Sequence, residues 1–277
     1  MRRGIGRPRP LARSRAALAI RRTTWLAGTM VAALAAYVLT PLPQAAGDAA
    51  AKRGIPFKGT AAVGTLFSVS DGHLGRHFCT ASVVSSPGGN LLITAAHCMA
   101  GRSISPAAGV VFAPGYHNGK FPYGTWTIRT VYVDSAWAQD QNPNDDVAFL
   151  VAGRPGRHIQ RHTGAETLMI GRPPQRVRVI GYPDGTNEPI TCTARARNFD
   201  RAHEMVFDCD SYTNGTSGGP FLAHVNPKTG NGWVIGVIGG YQQGGDTPSI
   251  SYSPRFFSAV WDLYETAVAG SSAAGSG

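Results

Sequence analysis

The sequence holds no C-x-x-C pair, no apolar run long enough to span a bilayer and, beyond its first fifty residues, almost no net charge. Each absence removes a class of function. Cysteine metal sites want closely spaced ligand pairs, and the four cysteines stand apart at Cys79, Cys98, Cys192 and Cys209, so no metal and no cofactor is expected. The longest apolar run, WLAGTMVAALAAYVLT (Trp25–Thr40), has 16 residues where a spanning helix needs roughly 20. The formal charge of +10 includes eight arginines between Arg2 and Arg22, leaving 18 basic against 16 acidic side chains over residues 47–277. A balance of +2 excludes a nucleic-acid role. No internal repeat is visible.

What is present begins with a leader. An arginine-rich, acid-free start, the apolar run and the small-residue stretch QAAGDAAA compose a secretory signal peptide over residues 1–46. Arg21 and Arg22, in IRRTTWLAG, loosely resemble a twin-arginine export signal. The expectation is a secreted protein; an uncleaved leader would instead anchor it, and would be its only contact with a membrane. Residues 47–57 form a short N-terminal segment or propeptide. All four cysteines follow the leader, and in an oxidising compartment they read as two local disulfides, Cys79–Cys98 and Cys192–Cys209. Each closes a loop of about 18–20 residues and contributes roughly 3 kcal/mol. The composition also permits other pairings.

Beyond residue 57, Gly and Pro punctuate short β-branched and aromatic segments every 8–12 residues. AVGTLFSVS (62–70), FCTASVVS (78–85), NLLITAA (90–96), TWTIRTVYV (125–133) and DVAFLVA (146–152) read as strands, and the pattern continues in RVRVIGY, EMVFDC, PFLAHV and GWVIGVIGGY. The class is all-β, in two halves over 58–160 and 161–269, linked by the basic stretch GRPGRHIQRHTG (153–164). One helix is predicted over 253–270, with Ser253 as N-cap, Pro254 in the first turn and an apolar stripe of Phe257, Val260, Trp261 and Tyr264. Residues 270–277 read as a disordered tail.

The run NGTSGGPF (214–221) passes from a glycine turn straight into apolar residues, which suits a loop delivering Ser217 to a buried strand. A serine nucleophile needs a base to take its proton and a third group to orient that base. Among eight histidines, His73, His77, His117, His158, His162 and His203 occupy polar or turn-rich contexts and read as surface residues, and His224 falls on the strand after the serine. His97 differs: it ends an apolar strand and is followed at once by Cys98. The acid should open an apolar segment, and NDDVAFL supplies Asp146, with Asp145 as the alternative.

TAAHC (94–98), DVAFL (146–150) and GTSGGP (215–220), in that order, resemble the chymotrypsin-like (trypsin-like) serine peptidases, most closely the bacterial secreted branch, over roughly residues 58–268. The resemblance implies two antiparallel six-stranded β-barrels with a C-terminal helix and a site in the cleft between them. It implies His97 as general base, Asp146 as its orienting acid, Ser217 as nucleophile and the N–H groups of Gly215 and Ser217 as oxyanion hole. The implied protein is a monomeric serine endopeptidase that cleaves protein or peptide substrates through an acyl-enzyme.

The resemblance also locates a specificity pocket, with Ser211 and Tyr212 at its base, Asp208 and Asp210 out of register, and Ile238, Gly239 and Gly240 on the opposite wall. A neutral floor and an aliphatic wall imply a neutral, apolar residue before the scissile bond, since an unpaired buried charge is costly. Thr216 stands where zymogen-activated relatives carry an aspartate, so the oxyanion turn is expected to form on folding without a new N-terminus. Two rivals are weighed. GTSGG also fits the α/β-hydrolase elbow, but those chains run Ser, acid, His, and here the sole histidine after Ser217 is His224. A silent binding protein on the same fold would lack a triad residue, and none is missing.

Overall fold

The computed structural model describes residues 52–104 and 108–273. The signal peptide expected over 1–46 lies outside the described residues, as does the end of the expected tail. The strands are β1 (Ile55–Pro56), β2 (Val63–Ser70), β3 (His73–Val84), β4 (Leu91–Thr94), β5 (Ala108–Pro114), β6 (Trp126–Val133), β7 (Ala148–Gly153) and β8 (Thr167–Leu168). They continue as β9 (Arg176–Gly181), β10 (Ile190–Arg195), β11 (Arg197–Phe199), β12 (Glu204–Asp208), β13 (Pro220–Ala223), β14 (Trp233–Val237) and β15 (Ile250–Pro254). Helices α1 (Ser135–Asp140), α2 (Gln160–Thr163) and α3 (Ser258–Ala273) complete the chain.

The first half closes into a six-stranded barrel in the order β2-β3-β4-β7-β6-β5, antiparallel throughout. Strands β4 and β7 sit between two cores. Leu92, Leu150 and Ala152 join Leu66, Phe112 and Trp126 in one cluster, while Leu91, Ile93, Phe149 and Val151 join Ile180, Tyr182, Leu222 and Val234 of the second half in another. Successive side chains of a strand point to opposite faces, so a strand buried on both carries apolar residues without alternation. That is why LLI and AFLVA are unbroken apolar runs. Each Leu or Phe so buried contributes about 1.5–3 kcal/mol.

The second half is a six-stranded sheet, β1-β10-β9-β13-β14-β8, and a three-stranded one, β11-β12-β15. The Cys192–Cys209 disulfide ties β10 to the end of β12, with Phe207, Phe221 and Ile235 packed between the sheets. The sheets are also linked where β14 ends: Val237 N donates to Ser253 Oγ at 2.9 Å and Gly239 N to the Tyr252 carbonyl at 3.0 Å. Two features were not foreseen. β8 pairs with β14 in parallel, and Ile55–Pro56, expected in a separate N-terminal segment, adds an edge strand to β10.

The helix starts later than predicted. Ser253 and Pro254 belong to β15, paired with Met205 and Glu204, so the predicted N-cap hydroxyl is occupied in the sheet. The helix runs from Ser258 and reaches Ala273, through the start of the expected tail. Its packed face is Val260, Leu263, Tyr264, Ala267 and Val268, with Tyr264 edge-on to Phe149, whereas Phe257 and Trp261 are exposed. Among the described residues no helix is long and apolar enough to cross a membrane.

Candidate active site

His97 lies in the 3₁₀ turn Ala96–Met99 just after β4, and Asp146 closes the 3₁₀ turn Pro143–Asp145 just before β7. Thr94 of β4 is paired with Ala148 of β7, so the two turns leave the barrel side by side. The Asp146 carboxylate therefore meets His97 twice: Oδ2 is 2.7 Å from Nδ1, and Oδ1 accepts the His97 backbone N–H at 2.8 Å. Oδ2 also accepts the Gly240 N–H at 2.8 Å, and the carboxylate is fully buried. A buried carboxylate with three donors has its charge met by hydrogen bonds instead of water. Asp145 points elsewhere, accepting from Asn142 Nδ2 at 2.6 Å inside its own turn. On the far side of His97, Cys98 is bonded to Cys79 of β3, which pins the turn to the barrel.

Ser217 arrives from the second half, in the turn leading to β13. Gly215 at φ +90° and Gly218 at φ +79° hold backbone shapes that side chains resist, and a Cβ on Gly218 would strike Thr94 and the Thr80 carbonyl. Thr80, in β3, clamps the turn. Its N–H donates to the Ser217 carbonyl at 2.7 Å, and its hydroxyl donates to the Gly215 carbonyl and accepts from Tyr182 N, both at 2.9 Å. Within the turn, the N–H groups of Thr216, Gly218 and Gly219 donate to Thr213, Ile238 and Thr216. Those of Gly215 and Ser217 have no protein acceptor among the described residues. Two unengaged N–H groups flanking one serine form a donor pair of the kind that binds an oxyanion. No hydrogen bond joins Ser217 Oγ to His97 among the described residues, although both line one cleft of about 630 Å³ between the halves.

The expected pocket residues divide. Tyr212 and Ile238 line the cleft. Ser211 does not: its backbone, at φ +82°, turns the hydroxyl outward to accept from Arg53 Nε at 3.1 Å. The cause is the N-terminal segment, which takes Asp210 N to the Lys52 carbonyl and gives Gly54 N to the Asp210 carbonyl, both at 2.8 Å. Gly239 and Gly240 stand behind the cleft, against the Asp146 carboxylate, where a Cβ on Gly239 would lie 2.9 Å from Oδ2.

Two further groups carry no signal in the sequence. Glu204 of β12 is buried and accepts the Tyr241 N–H at 2.9 Å, so consecutive amides of Gly240 and Tyr241 serve Asp146 and Glu204. Burial, with the neighbouring Asp200 and Asp146 charges, raises its pKa to about 7. Glu166, at the seam between the halves, accepts the Gly232 N–H, and burial raises its pKa to about 8. One histidine is misread: His77 is buried, not on the surface, with Nε2 2.9 Å from the Thr186 carbonyl and its ring against Phe67. His224 packs on Trp233 with ring centroids 4.1 Å apart. Cys79, His97 and Cys98 cluster closely enough for a metal, but the two sulfurs are bonded to each other and offer no thiolate.

A closed six-stranded barrel facing a second β half, with Ser217 and His97 lining one cleft and Asp146 buried behind His97, has the architecture of the chymotrypsin-like peptidases. The chain belongs to the family described as the trypsin-like peptidase domain, whose model matches residues 79–237. It is similar to the crystal structure of the protease Anisep from Arthrobacter nicotinovorans, with 24% identity over 78% of this chain and 99% of that one and a TM-score of 0.65. It is also similar to the thermostable serine protease AL20 from an extremophilic microorganism, with 25% identity over 76% and 98% of the two chains and a TM-score of 0.64. Among curated proteins it is similar to the extracellular metalloprotease of Bacillus subtilis strain 168, 26% identical over 136 residues. That match covers 48% of this chain and 42% of the relative, less than half the relative's length.

Proposed function

We propose that this protein is a secreted serine endopeptidase that hydrolyses peptide bonds through an acyl-enzyme, its two halves lying over 58–160 and 161–269. The observation that carries the reading is the pairing of a buried Asp146–His97 couple with two unengaged N–H groups at Gly215 and Ser217. Ser217 Oγ rotates toward His97 Nε2 and attacks the scissile carbonyl carbon as His97 takes the hydroxyl proton. Asp146 holds the imidazole with Nδ1–H toward the carboxylate, leaving Nε2 as the base. The carbonyl oxygen, now an oxyanion, accepts from Gly215 N and Ser217 N. When the C–N bond breaks, His97 gives its proton to the departing amine; water then repeats the sequence on the ester and frees Ser217.

The residue before the scissile bond is proposed to be neutral and apolar. Every buried residue lining the cleft is uncharged, and its carboxylates, Asp184 and Asp246, are exposed. Two local disulfides support export. The missing Ser217–His97 bond favours one alternative, a catalytically silent binding protein. Labelling the secreted protein with a fluorophosphonate probe separates them: the peptidase is modified at Ser217, the binding protein is not. Profiling of cleaved peptides then tests the pocket, and cleavage chiefly after Arg, Lys or Glu would overturn the neutral preference.

A further inference from the structure

The cleft holds one arginine that the triad does not use. Arg102 follows His97 by five residues and lines the same cleft as His97, Cys98, Cys79 and Phe78. Its Nε donates to the Cys98 carbonyl at 2.8 Å, and its guanidinium carbon lies 3.4 Å from the centroid of the Phe78 ring. Phe78 precedes Cys79, and Cys79 is bonded to Cys98, so both supports of the guanidinium hang on one disulfide. A long, flexible side chain is thereby held over a ring with its terminal nitrogens still to be used. Among the described residues no carboxylate lies within ion-pair distance of it. A fixed, unpaired guanidinium in a substrate cleft is built to receive a carboxylate.

Which part of a substrate reaches it follows from the chemistry. The departing amine must take its proton from His97, so the leaving peptide passes along the wall on which His97 stands. That wall is Phe78, the Cys79–Cys98 disulfide and Arg102; Ile238 and residues 242–248 form the other side, from the second half. We propose that Arg102 and Phe78 form a leaving-side subsite that selects an Asp or Glu side chain at one of the first two residues after the scissile bond. Only one of the two can reach it, because successive side chains of an extended peptide point opposite ways. Asp184, beside the oxyanion turn on the second half, disfavours a carboxylate at the other position. The subsite rests on the peptidase reading above.

Acyl transfer tests it on the whole protein. A peptide ester forms the acyl-enzyme, and dipeptide amides compete with water for it from the leaving side: Asp-Ala, Ala-Asp, Ala-Ala, Lys-Ala and Ala-Lys. The wild-type protein is expected to transfer to one acidic dipeptide roughly three- to tenfold better than to Ala-Ala, and less so at high salt. Arg102→Lys should keep part of that ratio, Arg102→Gln should bring it near one, and Arg102→Glu should move the preference to lysine at the same position. Ester hydrolysis in each variant reports that it has folded. Ester hydrolysis by the wild type without an acidic preference, or a preference that survives Arg102→Gln, overturns the subsite. No ester hydrolysis and no probe labelling by the wild type overturns the peptidase reading and the subsite with it.

Discussion

Thr80 holds Ser217 from across the cleft: the N–H of a strand in the first half donates to the carbonyl of the serine in the second, at 2.7 Å. The Thr80 hydroxyl extends the grip to Gly215 and Tyr182. The turn that would receive an oxyanion is thus shaped by both halves at once. Thr80→Val keeps the side-chain volume and removes the hydroxyl, leaving the Gly215 carbonyl and the Tyr182 N–H buried without that partner. The expected cost is about 1–3 kcal/mol of stability, with kcat falling more than KM rises. Urea melts and ester kinetics measure both; unchanged kcat would show that the clamp does not shape the turn.

Ser217→Ala and His97→Ala should each nearly abolish turnover while the fold survives. Asp146→Asn should lower kcat on the order of 10⁴, a magnitude taken from other triad peptidases, because an amide presents the imidazole in the wrong tautomer. Asp145→Asn should do little, since that carboxylate serves only Asn142 among the hydrogen bonds of its turn. Kinetics in which Asp145→Asn does the damage and Asp146→Asn does not would reverse the assignment.

The buried glutamates make stability depend on pH. Glu166 has a folded pKa of about 8 and Glu204 of about 7, both above the ordinary 4.5. A raised pKa means that the folded state keeps protons the unfolded chain has released. The favourable contribution is therefore complete below pH 4.5 and is lost as pH rises through 7 and 8. Glu166→Gln, neutral at every pH, should flatten much of this slope, a difference on the order of a few kcal/mol between pH 5 and pH 8. Urea midpoints at the two pH values test it, and equal slopes for wild type and variant would contradict it.

Removing the Cys79–Cys98 disulfide should cost roughly 3 kcal/mol and should also reduce kcat, because the bridge anchors the turn that carries His97. Removing Cys192–Cys209 should cost similar stability with less effect on kcat, since it joins the two sheets away from His97. The comparison is made by thermal melts and ester turnover on both double variants.

Cleavage between Arg53 and Gly54 should not switch on activity. Thr216 is buried, and its hydroxyl donates to the Thr213 carbonyl at 2.7 Å, so the oxyanion turn is closed on itself with no place for a charged terminus. Lys52 and Arg53, just ahead of Gly54, are instead exposed, Arg53 meeting Asp210 and Ser211. Peptide-ester turnover before and after cleavage at Arg53 should agree within about twofold; activity that appears only after cleavage would defeat the idea.

The sequence by itself determined the features that are local. TAAHC, DVAFL and GTSGGP each join an apolar strand to a turn; they carry His97 and Ser217, which line one cleft, and Asp146, which is paired with His97. The apolar runs around Leu92 and Leu150 announced strands, and cysteines 19 and 17 residues apart announced the two bridges, while burial of those strands on both faces was shown by the structure. Tertiary structure alone decided the rest, because the decisive partners are distant in the chain. Ser211 matches a pocket residue by counting, yet pairing of Asp210 with the N-terminal segment turns it away. Ser253 has the chemistry of an N-cap, yet its hydroxyl meets Val237, 16 residues back, before any helix begins. Thr80, Gly240 and Glu204 bear on the site only because segments distant in the chain converge there, Thr80 meeting Gly215 across 135 residues and Gly240 meeting Asp146 across 94, and a hydrogen bond between such segments leaves no periodicity in either one.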